Sequence, residues 1–118
     1  MGSERALLAH EDGRVVCEHL LAATRPLARM RGLLGRSSLP TGEGILLRPA
    51  GSVHTFFMRF PIDVVFLDRD LVVLDVEAEM KPWRLAGRKG AKQVVELAAG
   101  ECARRAVRAG DRLVLAEI

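Results

Sequence analysis

Ser52-Val53-His54-Thr55-Phe56-Phe57-Met58-Arg59-Phe60-Pro61-Ile62-Asp63-Val64-Val65-Phe66-Leu67-Asp68 is the stretch on which the reading of this chain turns. It holds all four phenylalanines, one of three histidines and one of four methionines, with Arg59 and Asp63 set among them. A charge placed in an apolar run is costly unless it is paired or has a task. His54, Arg59 and Asp63 therefore need partners. If residues 62–68 are extended, Asp63 shares a face with Val65 and Leu67, while Ile62, Val64 and Phe66 form the other. Neither face is polar, so Asp63 is expected to be at least half buried, with Arg31, Arg59 or His54 as the partner that holds it.

Outward from this block, the totals describe one folded domain. The chain has 118 residues, 49% of them hydrophobic, and only five prolines. At that length a domain buries roughly two-thirds of the surface its unfolded chain exposes. No apolar run approaches the ~18 residues of a membrane span. Met1 to Ala6 carries no apolar leader core, so the chain reads as cytoplasmic. Cys17 and Cys102 lie far apart, with no Cys-x-x-Cys and no nearby Cys/His pair, which points to two buried thiols and leaves a disulfide between them open. Neither a metal nor a cofactor is expected. The net charge is +3, and 15 of the 18 basic residues are Arg. Guanidinium forks suit anionic ligands, but so small an excess does not point to nucleic acid as a partner on charge alone.

Glu11-Asp12-Gly13 is a turn signal between two apolar runs, 4–10 and 14–21, and predicts an opening hairpin. Thr24 and Pro26 start a helix that Gly35 stops, with Arg31 at the rim of its apolar face. Strands are expected over 45–47, 53–58, 62–67, 71–80, 93–97 and 112–118, with Val72, Leu74, Val76, Ala78 and Met80 alternating against Asp75, Glu77 and Glu79. Residues 81–92 read as a basic, Gly-rich loop carrying Trp83. A second short helix is expected over 101–108, ending at a left-handed Gly110. The sum is an α+β, mostly β domain: a small antiparallel barrel-like sheet with two short helices.

The order of segments resembles a known family. Arg31-Gly32-Leu33-Leu34-Gly35-Arg36, Gly42-Glu43-Gly44-Ile45-Leu46-Leu47, the run from His54 to Asp68, Val94-Val95-Glu96-Leu97, Ala99-Gly100 and Ala109-Gly110-Asp111 together look like DUF192 (UPF0127). The resemblance covers nearly the whole chain from about residue 7. It implies a mostly β single domain and carries over no catalytic residues, since the family's function is unknown.

The candidate ligand-binding residues are Arg31, His54, Phe57, Arg59, Asp63 and Trp83. They suggest an aromatic, Arg-rimmed cleft between the 54–63 block and the 81–92 loop, suited to a small anionic ligand with a planar or apolar body, or to a protein partner. A second reading makes His54 and Asp63 the acid/base pair of a small hydrolase or isomerase. A third makes the chain a weak nucleic-acid binder through Arg25/Arg29/Arg36, Lys81/Arg84/Arg88/Lys89/Lys92 and Arg104/Arg105/Arg108/Arg112.

Overall fold

Turn chemistry at Gly13, which takes φ 94°, folds the first strands back on each other. A computed structural model describes residues 3–23, 33 and 35–117. In it β1 (Ser3–His10) pairs antiparallel with β2 (Val15–Ala23), as the turn signal predicts. β3 (Glu43–Leu47), β5 (Ile62–Leu67), β6 (Val73–Met80), β8 (Gln93–Ala98) and β9 (Leu113–Glu117) complete a seven-stranded sheet in the order β6-β5-β8-β3-β2-β1-β9. β4 (Ser52–His54) and β7 (Leu85–Gly87) form a separate two-stranded ribbon.

The large sheet curls into a half-barrel, and its two edge strands touch at one end, through a bridge between Val72 and Arg112. Val73 N–H donates to Asp111 O (2.8 Å), Gly110 N–H to Val73 O (2.7 Å) and Leu113 N–H to Leu71 O (2.9 Å). These bonds satisfy edge groups that would otherwise template pairing with another chain.

β5 and β8 lie inside the sheet, each between two neighbouring strands, and their burial explains their composition. Both faces are covered, so the strands read as nearly continuous apolar runs. Val65, Leu67, Val95 and Leu97 pack with Leu8, Leu20, Leu46 and Leu113 on one face. Ile62, Val64, Phe66 and Val94 pack on the other, under Val53 and Ala86 of the β4–β7 ribbon. Cys17 and Cys102 are both buried free thiols. Burial pushes the Cys17 thiol up to about 11, and burial with the nearby Asp63 carboxylate pushes Cys102 up as well.

Several expectations need correction. The sheet is not wholly antiparallel, because β2 and β3 run parallel, joined by a crossover of the length such a pair requires. The strand expected over 53–58 stops at His54, since Phe57 turns to φ 67°. The 81–92 loop contains β7, which the Gly-rich composition concealed. Among the described residues there is one short helix, α1 (Glu101–Arg104), where two were expected. It ends four residues early, since Ala106 adopts φ 57°. The helix expected from Thr24 lies outside the described residues apart from Leu33 and Gly35. The clean alternation of β6 is broken by register shifts, so Leu74 and Val76 pack on different faces.

Asp63 is fully buried, as its neighbours predict, and among the described residues its hydrogen bonds come from backbone N–H groups rather than from His54 or Arg59. Oδ1 accepts from Glu79 N–H (2.8 Å) and Gly100 N–H (3.1 Å), and Oδ2 from Cys102 N–H (2.8 Å). Glu79 sits at φ 50° in a bulge, where β6 sets two residues against Asp63 alone, so its N–H would otherwise go unanswered. Gly100, before α1, has no side-chain oxygen to cap the helix, and Asp63 takes that role from another strand. Replacing it strands three backbone donors. Asp63→Ala is expected to lower unfolding stability by about 2–4 kcal/mol, read from the urea midpoint, with a smaller loss for Asp63→Asn. A midpoint unchanged in the alanine variant would contradict this role.

Candidate functional site

Thr55 builds the most conspicuous surface of the molecule. It is buried, and its hydroxyl donates to Lys81 O (2.6 Å) while accepting from Arg84 N–H (2.9 Å). Its backbone N–H donates to Arg84 O (2.8 Å), and its carbonyl accepts from Trp83 N–H (2.9 Å) and Met58 N–H (3.1 Å). One residue thereby pins the 55–58 turn to the 81–84 turn. The aromatic side chains on the two turns are left side by side.

Those rings are packed against one another in the open. His54 stacks on Phe56 at 5.0 Å between centroids, and Phe56 on Trp83 at 6.1 Å, each pair inclined by 28°. Phe57 meets Trp83 at 4.6 Å and 57°. Phe57 is 71% exposed, Trp83 56% and the adjoining Leu85 71%. The rings form a platform facing outward rather than the walls of a cleft. Phe57 and Trp83 both lie in the left-handed region, at φ 67° and 66°. That region costs a residue with a Cβ roughly 1–2 kcal/mol, so the backbone is held there by its surroundings.

Cations lie on or beside the same two turns. Arg59, Lys81 and Arg84 are exposed, and among the described residues none joins an ion pair. Arg84 Nη1 instead donates to the carbonyls of Pro82 and Trp83, each at 3.4 Å. Arg88 is a different case. It bonds Asp75 (2.6 Å) and Glu77 (2.9 Å) on β6, and lies 4.8 Å over the Phe66 ring. Its hydrogen bond holds the Asp75 carboxyl below the usual range. That cation clamps the ribbon to the sheet and is not free for a ligand.

Of the sequence-predicted residues, the fold brings His54, Phe57 and Trp83 together and places Arg59 on an exposed position of the same turn region. Asp63 lies apart. It shares the Val65/Leu67 face of β5, whereas the β4–β7 ribbon that carries His54 covers the Ile62/Val64/Phe66 face. His54 and Asp63 are thus on opposite sides of the sheet and form no acid/base pair. Arg31 lies outside the described residues. Sequence reasoning passed over Thr55, a lone hydroxyl inside an aromatic run, and Leu85, whose exposure depends on β7.

The DUF192 family model, described as an uncharacterized conserved group, matches residues 8–115. The chain belongs to the DUF192 family. A UPF0127 protein of Pyrococcus furiosus is 43% identical over 63 residues, 52% of this chain and 53% of that protein. The chain thus spans about half the length of the Pyrococcus relatives it matches. Among solved structures, a Novosphingobium aromaticivorans protein of unknown function superposes with TM-score 0.80 at 21% identity, covering 95% of this chain and 84% of its own. A Sinorhizobium meliloti protein, described provisionally as a transcription regulator, gives 0.79 at 24%, covering 96% and 93%. At such identities the likeness shows a shared fold. Among the described residues no helix is long and apolar enough to cross a membrane.

One more charge in this DUF192 domain lies inside the sheet. Glu96 on β8 is only 4% exposed and pairs in register with Ile45 on β3 and Val64 on β5. The Val-Val-Glu-Leu-Ala run carried the same warning as Asp63, a charge among apolar neighbours. Burial pushes the Glu96 carboxyl up from 4.5 to about 7. A folded-state value above the unfolded one means the native state binds the extra proton. Glu96 therefore favours folding fully below pH 4.5, and that contribution is lost as pH rises toward about 7. The window is worth about 3 kcal/mol at most. Urea unfolding at pH 5 and pH 8 should show Glu96→Gln stabilising the protein at the higher pH and leaving it nearly unchanged at the lower. A variant that keeps the wild-type pH slope would refute the assignment.

Proposed function

We propose that this domain is a non-catalytic binding module whose aromatic platform, Phe56, Phe57 and Trp83 flanked by His54 and Leu85, holds a ligand with a planar or apolar body and an anionic group. The single observation that carries the reading is the pair of exposed aromatic residues kept side by side in left-handed backbone. Exposed aromatics cost solubility, and left-handed backbone costs stability. A fold that keeps both, and devotes the buried Thr55 to holding them, is organised for contact with something outside it. Arg59, Lys81 and Arg84, exposed and in no ion pair among the described residues, supply the complement to a negative group, and Arg84 also offers a flat guanidinium for stacking. An enzymatic reading built on His54 and Asp63 lacks support, because those side chains face opposite sides of the sheet.

Trp83 is the only tryptophan of the chain, so its emission reports on the platform directly. Titration with 8-anilinonaphthalene-1-sulfonate and 2-naphthoate should shift or quench that emission saturably. Phe57→Gly should weaken binding about tenfold, as expected for one lost stacking partner. The same change should leave the protein as stable as wild type, or up to about 1 kcal/mol more stable, since glycine accepts φ 67° freely. Emission that never responds to either probe would sink the proposal.

A further inference from the structure

Three more cations meet at the far ends of β3, β5 and β8. Arg48 follows β3, Arg69 lies in the turn between β5 and β6, and Lys92 precedes β8. With Pro49 and Gln93 they line an open concavity of about 480 Å³. Among the described residues none of the three forms an ion pair.

Their spacing is set by the buried amide of Gln93. Its Nε2 donates to the carbonyls of Asp68 (2.9 Å) and Arg69 (3.3 Å), while its Oε1 accepts from Arg48 Nη1 at 3.5 Å. The backbone is tied as well, with Lys92 N–H on Leu67 O (2.8 Å) and Ala50 N–H on Lys92 O (2.9 Å). Two carboxylates belong to the same turn. Asp68 Oδ1 already accepts from Asp70 N–H and Val72 N–H, and Asp70 is exposed and bonded to none of the cations. Like charges held near one another on a fixed frame raise each other's free energy until an anion joins them.

We infer that Arg48, Arg69 and Lys92 form a binding site for a phosphate-bearing small molecule. Two guanidinium forks and an ammonium offer more donors than one carboxylate can accept, whereas a phosphoryl group has three terminal oxygens and can accept from all three side chains at once. The site uses no residue of the aromatic platform and stands independently of it.

Calorimetric titration at low ionic strength with inorganic phosphate, pyrophosphate, citrate and a single-stranded oligonucleotide tests this. The wild type is compared with Arg69→Gln/Lys92→Gln, whose changed side chains are exposed, and with Arg14→Gln on the opening hairpin. Pyrophosphate should bind saturably at one site, about tenfold weaker or more for each cation removed, and equally well in Arg14→Gln. Absence of saturable heat from both phosphates in the wild type would overturn the inference. So would equal binding by the double variant, citrate binding as tightly as pyrophosphate, or response only to a single-stranded oligonucleotide.

Discussion

A buried carboxylate accepting three backbone N–H groups organises one end of this molecule. Asp63 joins β5 to a bulge in β6 and to the turn that starts α1. Bonds from a carboxylate to backbone donors are charge-assisted, and burial makes each more costly to lose. The arrangement also explains how a helix of one turn persists. A four-residue helix has too few internal bonds to stand alone. α1 is held from outside, by Asp63 at its start and by the residue that follows it. Arg105 donates to Val15 O (3.0 Å) and Glu18 (2.8 Å), and its own carbonyl accepts from His10 Nε2 (2.8 Å). The hairpin, the helix and β5 are thus tied through bonds between residues far apart in sequence.

The two acidic residues buried in the sheet have different surroundings. Asp63 finds donors aimed at both its oxygens, whereas Glu96 is dominated by burial and its carboxyl rises toward neutrality. At the surface the fold makes the opposite kind of compromise. Left-handed backbone at Phe57 and Trp83 is tolerated because Thr55 locks both turns from beneath. Stability is given up where rings are displayed and recovered in the core below them.

Much of the architecture was legible from the residues. The hairpin at Gly13, the strands of β5, β8 and β9, and the burial of Asp63 all followed from periodicity, turn residues and the cost of a charge among apolar side chains. The family likeness also rested on the order of short segments alone. Other features were not legible. A three-residue strand such as β7 has no period to detect, and the parallel pairing of β2 with β3 depends on where a crossover returns. The helix expected over 101–108 stops at Arg104, with Arg105 as its cap, because Ala106 turns to φ 57°, which the residue types do not signal.

The candidate site divides in the same way. The chain by itself determined that aromatic and basic residues concentrate in two segments, and that Asp63 had to be satisfied out of water. Only the tertiary structure decided that His54, Phe57 and Trp83 share one surface while Asp63 faces the other side of the sheet. The physical reason is that composition sets which groups must be buried or paired. Which distant N–H, ring or carbonyl each one meets depends on how strands far apart in the chain are brought into register.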